Sequence, residues 1–361
     1  MRFRFFLLCF VVVGYAGMRV FDSPTLRDFD TTPVVAYNTK VTRTPVLIVV
    51  YALAGHILDE KYWIHEPAHP LTSECRTLCE FSWDRRRTAQ ADAVLYHGRS
   101  KYFFPEHYPL SNGRFPNVVY IMAEVEGVNT THYAEDQQPN KTATTDMHSS
   151  IPITFSKFGE GREFLTDAAQ LHQMFCAKVS ASELEGRREA ASFFASNCHG
   201  PRVEYVRELS NYFPLENFSP CLAQTSSMSY AAKRNDFYGM QRVNEQLLFC
   251  LAFDNTNLYT GYLSERLIQT LESGCIPIYW GGMRNIEALF PANSFINANS
   301  YSPKALATFL RRVSHNSTAL SEFHTWRTLR RVPRAFERYL NSSMPSFPCR
   351  LCLHLGQSGY T

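Results

Sequence analysis

Glu265 and Arg266 stand side by side in the stretch "FDNTNLYTGYLSERLIQTLESGCIPIYWGG", from Phe253 to Gly282. A turn-rich polar run leads into a short amphipathic helix, and the helix gives way to a near-continuous apolar run. Both charges fall in the expected first turn. A helix N-terminus carries partial positive charge and unpaired N–H groups, so a cation there is out of place by itself. It makes sense where the helix N–H groups and the guanidinium share an anion such as a phosphate. Glu265 would then point elsewhere, where a carboxylate can accept two hydroxyls, as from a ribose or a sugar. Arg202, just after "ASFFASN", is a second cation at the mouth of a neighbouring strand. The plainer alternative is that all three are solvated charges, which are common at helix ends.

The elements that must hold these residues read as strands alternating with helices. "TPVLIVVYALAG" (44–55), "ADAVLYHG" (91–98) and "PNVVYIMAE" (116–124) are short β-rich runs. Residues 126–147 are polar and read as a long exposed loop. "REAASFFASN" (188–197) is a further strand, and "GPRVEYVRELSNYF" starts a helix with Val203, Val206 and Leu209 at helical spacing. "EQLLFCLAFDN" and "CIPIYWGG" are strands on either side of the helix at Glu265. "SPKALATFLRRVS" is a helix with Ser302 as N-cap and Pro303 at its first position. Such alternation with short links gives parallel sheets covered by helices. Its occurrence in both halves predicts an α/β chain of two doubly wound domains facing across a cleft, 44–185 and 186–361. In open α/β sheets ligands bind beyond the carboxyl ends of the strands, which is where Asp254–Tyr262 and Arg202 fall.

The chain has 361 residues, 45% hydrophobic, with a formal charge of +3. No Lys/Arg block suggests nucleic acid, and 14% aromatic content argues against disorder. "MRFRFFLLCFVVVGYAGMRVF" puts Arg2 and Arg4 before an apolar run, which sends the chain to the secretory pathway. Residues 1–20 fit a cleaved signal peptide or an uncleaved signal anchor, and 21–43 a short stem. Five sequons, at Asn129, Asn140, Asn217, Asn316 and Asn341, agree with a lumenal setting. There are ten cysteines, and disulfides are their default in an oxidising lumen.

The Phe253–Gly282 stretch resembles the donor motif of the α1,3/4-fucosyltransferases, a "FEN…Y-x-T/S-E-K" pattern before an apolar strand. "CEFSWDRRRTAQADAVLYH", "YIMAEVEGVNTTHYAED", "TTDMHSSIPITF", "FFASNCHGPRVEYVRELSNYF" and the closing "CRLC" resemble further segments of that family, from Val46 to the C-terminus. The resemblance implies the GT-B fold, with acceptor bound mainly by the first domain and GDP-fucose by the second. It implies that Arg202 and Arg266 contact the pyrophosphate, that Glu265 contacts ribose or fucose, and that Asn255 and Tyr262 line the donor site. Glu124 matches the general base, with Glu126 its nearest rival. The implied reaction is inverting transfer of fucose to a GlcNAc hydroxyl, in α1,3 linkage, on a lactosamine chain or an N-glycan core. The implied setting is the Golgi membrane, as a single-pass type II protein with a lumenal catalytic domain. Cys198 with Cys221 is a plausible bridge matching paired cysteines in the family. Two departures are Arg266 where the family has Lys, and Asp254 where it has Glu.

No metal cofactor is required by this arrangement, which is compatible with stimulation by Mn²⁺. The one D-x-D, Asp28-Phe-Asp30, lies in the stem. "HEPAH" (65–69) fits a zinc-protease pattern, but Pro67 and Pro70 disfavour the helix that pattern needs. Cys75, Cys79, Cys349 and Cys352 could form four zinc thiolates, against which the lumenal setting favours disulfides. A non-catalytic glycan-binding module on the same fold, and a GT-B transferase using another nucleotide sugar, are the remaining alternatives.

Overall fold

A computed structural model describes residues 45–51, 77–100, 105, 108–111, 113–125, 135–153, 184, 186–223, 237–328, 333–342 and 347–357. The N-terminal apolar run, the stem, "HEPAH", Asp28, Asp30, Cys75, Glu126 and Asn129 lie outside these residues.

Ten strands form two five-stranded sheets, every pair parallel. The first contains β1 (Val46–Val50), β2 (Cys79–Ser82), β3 (Ala93–His97), β4 (Val119–Glu124) and β5 (Lys141–Thr144), in the order β2-β1-β3-β4-β5. The second contains β6 (Arg188–Phe193), β7 (Leu215–Asn217), β8 (Leu247–Phe253), β9 (Ile276–Trp280) and β10 (Ile296–Asn297), in the order β10-β9-β8-β6-β7. Numbered within itself, the second sheet repeats the 2-1-3-4-5 order of the first. In that order the winding reverses between the first and third strands, here β1/β3 and β6/β8, and a crevice opens at their carboxyl ends.

Continuous apolar strands such as "LLFCLAF" need cover on both faces. In the second sheet, Val206 and Leu209 of helix Pro201–Leu209 and Leu306 and Leu310 of helix Pro303–Ser314 pack on Phe193, Phe249 and Ile278. Leu267 and Leu271 of helix Arg266–Glu272 cover the other face at Ala252 and Tyr279, with Phe290, Phe336 and Tyr339 beyond them. Helix Pro303–Ser314 starts as its sequence predicts, with the Ser302 side chain accepting from the Ala305 N–H.

Three expectations change. Residues 126–147 are not one exposed loop, because β5 lies within them and its Ala143 is fully buried; its Lys, Thr, Ala, Thr sequence gave no apolar run to read. The closing helix Phe347–Gln357 packs on the first sheet, setting Phe347, Leu351 and Leu355 against Val46, Ile48 and Ile121, so the stretch 186–361 does not stay with the second sheet. Asn217 is buried, and its amide nitrogen donates to the carbonyls of Ser219 and Leu222. That nitrogen has no room for a glycan in the fold. Asn140 and Asn316 are exposed, and Asn341 ends helix Arg334–Asn341.

Among the described residues three disulfides form: Cys79–Cys352, Cys198–Cys221 and Cys250–Cys275. Cys349 is disulfide-bonded as well. Bonded sulfurs do not serve as zinc thiolates, which removes that alternative for Cys79, Cys349 and Cys352. Cys79–Cys352 joins the edge strand β2 to the closing helix across 273 residues of sequence. Replacing both with Ser should cost about 2–5 kcal/mol, read as a lower midpoint in thermal unfolding under oxidising conditions. An unchanged midpoint would mean that apolar packing alone docks the helix.

Candidate functional site

The carboxyl ends of β6 and β8 gather the charged residues. Arg202 is the second residue of helix Pro201–Leu209 and is fully buried, so it is no ordinary surface charge. Its Nη1 donates to the Phe253 carbonyl, the last of β8, at 3.2 Å, and its Nη2 to the Asn197 carbonyl at 2.7 Å. Its Nε is buried without a hydrogen-bond partner. Arg266 reaches the same crevice from the next helix and donates from Nη1 to the Phe194 carbonyl at 2.6 Å. Burial and the nearby Arg266 charge pull Arg202 down to about 10, so it stays charged at neutral pH. Among the described residues no carboxylate forms an ion pair with either one. Burying a cation without a counter-charge is costly. An anion with several oxygens meets the geometry, because an arginine fork matches phosphate.

Tyr262, buried, and Glu265, half-buried, lie close enough to act on the Arg202 charge. The Asn255 carbonyl sits beside Gly200, which has φ +91° and caps the Arg202 helix. The structure thus brings Arg202, Asn255, Tyr262, Glu265 and Arg266 together. One expectation shifts: Glu265 is the helix N-cap, Arg266 is the first helical residue, and the helix has only seven residues. So short a helix adds little dipole, which leaves the guanidinium groups as the source of positive charge.

Asp254, on which the sequence gave no view, organises this site. Its Oδ1 accepts from the Ser264 backbone N–H at 3.0 Å and from the Ser264 hydroxyl, which clasps the loop 254–264 at its ends. The loop lies against Gly281 and Gly282. A Cβ on Gly281 would meet Asp254 Oδ2 at 2.2 Å, and one on Gly282 would meet the Tyr259 carbonyl at 2.0 Å. The "WGG" pair and an acid ten residues before a serine were the available sequence signals for this clasp. Burial, opposed by the Ser264 hydrogen bonds and Arg266, raises Asp254 from 3.8 to about 7.

Across from this loop stands the first sheet. Glu124 ends β4 and is 1% exposed, with Oε1 accepting from the Val125 N–H at 3.0 Å. Its Oε2 lies 3.3 Å from His97 Nε2 and 3.5 Å from Arg99 Nε. His97 and Arg99 were not singled out from the sequence; their place at the end of a strand next to β4 is what brings them here. The loop after β5 touches the donor loop directly, as Thr145 Oγ1 donates to the Gly261 carbonyl at 2.9 Å. A Cβ on Gly261, at φ +81°, would run into the Asp146 side chain at 2.5 Å. Among the described residues no group of three or more His, Cys, Asp or Glu could hold a metal ion.

Two doubly wound sheets carry a paired-arginine crevice at one switch point and a buried carboxylate at the carboxyl edge of the other sheet. Residues 184–361 match glycosyltransferase family 10 (fucosyltransferase), C-terminal region. GDP-fucose protein O-fucosyltransferase 3 of Xenopus laevis is 30% identical over 198 residues, which are 52% of this chain and 40% of the relative. The Danio rerio protein of the same name is 26% identical over 299 residues, 77% of this chain and 62% of its own length. The chain thus spans about 40% to 62% of the curated relatives it matches. A crystal structure of an alpha1,3-fucosyltransferase aligns with a TM-score of 0.49 at 16% identity, over 78% of this chain and 81% of that one. One of an alpha1,3-fucosyltransferase with GDP-fucose aligns at 0.47 and 14% identity, over 87% and 93%.

The Asp254 clasp has a pH signature. Folded Asp254 holds its proton up to about 7, and the unfolded chain releases it near 3.8. Between those values the folded state binds more protons, so this group's stabilising contribution falls as pH rises. Asp254→Asn keeps an oxygen for the Ser264 N–H and cannot ionise. Its unfolding temperature should drop less than the wild type's between about pH 4.5 and about pH 7. Parallel curves would show that Asp254 is ionised throughout.

Proposed function

We propose that this chain is an inverting fucosyltransferase that takes GDP-fucose as donor and delivers fucose to a hydroxyl group. The observation that carries the reading is the buried Arg202, its Nε without a hydrogen-bond partner, beside Arg266 and in no ion pair with a carboxylate among the described residues. In this reading the two arginines hold the diphosphate, Glu265 accepts hydroxyls of ribose or fucose, and Asn255 and Tyr262 line the donor. The acceptor oxygen attacks C1 of fucose as the bond from C1 to the phosphate oxygen breaks. The electron pair of that bond leaves on GDP, where the two guanidinium groups stabilise the developing charge. Glu124 takes the acceptor proton. Attack opposite the leaving group inverts C1 in one displacement. No step calls for a metal, and Mn²⁺ would act only as a stimulant.

For the acceptor, likeness to protein O-fucosyltransferases at up to 30% identity favours a polypeptide hydroxyl, on Ser or Thr. The GlcNAc hydroxyl of lactosamine or of an N-glycan core, in α1,3 linkage, is the second reading, favoured by the segments from Cys79 to His97 and at "CRLC". The disulfides support an oxidising compartment. With the N-terminal apolar run they support a lumenal domain held at the Golgi membrane as a type II protein.

The test is fucose transfer by the secreted chain, comparing GDP-fucose with other nucleotide sugars and polypeptide with glycan acceptors. Arg266→Ala should weaken GDP-fucose binding by roughly ten- to a hundredfold, the loss of a charge-assisted contact. Glu124→Gln should lower kcat by about 10²- to 10⁴-fold while GDP still binds. Transfer from a different sugar nucleotide would overturn the donor. Glycan binding with no turnover in a folded chain would make it a binding module.

A further inference from the structure

His97 ends β3 and lies opposite Ala123, the neighbour of Glu124 in β4. The imidazole side chain is 14% exposed and the carboxylate 1%. The backbone N–H of Arg99 donates to His97 Nδ1 at 3.2 Å. A neutral imidazole has one accepting and one donating nitrogen. With Nδ1 accepting, the proton is on Nε2, and Nε2 lies 3.3 Å from Glu124 Oε2. The nitrogen nearest the carboxylate therefore carries a proton and not a lone pair, and it acts on Oε2 electrostatically, since the geometry falls short of a hydrogen bond. Gly98 permits the close approach: a Cβ there would lie 3.1 Å from both Glu124 Cβ and Met122 Sδ. The backbone of one tight segment, 97–99, thus selects the tautomer that faces the glutamate.

We infer that His97 is a positioning residue for Glu124 in fucosyl transfer, acting through the positive end of its Nε2–H dipole 3.3 Å from Oε2. This rests on Glu124 being the base of the proposed reaction. The imidazole proton favours the ionised carboxylate and restrains its rotation, so that an oxygen is ready for the acceptor hydroxyl. Glu124 receives the acceptor proton, and His97 keeps its own.

Two variants separate this role from plain packing. His97→Gln reaches Glu124 with an amide N–H and loses the Nδ1 acceptor. His97→Asn keeps an acceptor near the Nδ1 position and does not reach Glu124. The assay is GDP release from GDP-fucose by the full chain, with polypeptide, N-acetyllactosamine and water as acceptors. His97→Asn should lower kcat roughly a hundredfold, the cost of a misplaced catalytic group. Its KM for GDP-fucose and its unfolding temperature should match the wild type, and His97→Gln should recover most of the rate. Wild-type kcat in His97→Asn overturns the inference. So does an equal loss in both variants that tracks a lower unfolding temperature. Glu124→Gln distinguishes the two levels: if it turns over normally, the base assignment itself fails. If it is inactive while His97→Asn is not, only the role of His97 fails.

Discussion

Arg202 is the constraint on which the donor end of the molecule depends. A guanidinium without exposure must be compensated inside the protein, since desolvating a cation costs several kcal/mol after relaxation. Here the compensation comes from the Phe253 carbonyl at the end of β8 and the Asn197 carbonyl in the loop that follows β6. Those carbonyls are available because parallel strands end their ladders at the switch point. The position of Arg202 is therefore tied to the strand order, and the strand order to two apolar faces that both need helices. Charge left over after the carbonyls are used is what makes the crevice selective for an anion.

The loop that closes over this crevice is shaped by steric exclusion as much as by hydrogen bonds. Asp254 and Ser264 bring its ends together, and Gly281 and Gly282 let it lie on the end of β9. Gly261 then meets the loop after β5, so the donor loop touches both sheets. A larger side chain at any of these glycines would push the arginines, the loop or the opposite sheet aside. The two halves are also stitched at the other end of the chain, where the closing helix crosses back and Cys352 bonds Cys79. The arginine crevice and the Glu124 carboxylate are thereby held in one frame, which is what the proposed displacement requires.

The duplicated strand order gives each sheet one job. The second sheet collects positive charge between β6 and β8. The first ends β3 and β4 in His97 and Glu124, a buried carboxylate beside an imidazole. The match to glycosyltransferase family 10 covers residues 184–361, the part of the chain that holds the charged crevice.

The sequence by itself determined the alternation of strands and helices, because apolar runs and helical spacing are local patterns. It picked out Arg202, Asn255, Tyr262, Glu265 and Arg266 as residues that would meet, because their motif is contiguous apart from one arginine at the next strand mouth. The Ser302 cap was legible for the same reason. Only the tertiary structure decided that Arg202 is buried, since burial depends on which strands are neighbours. Only it found β5, whose polar sequence becomes a strand by pairing with β4. It withdrew Asn217 from the surface, joined Cys250 to Cys275, and set His97 against Glu124. Each of these is a contact between residues far apart in the chain, and parallel pairing, with its long crossovers, leaves no local trace of which strand will lie beside which.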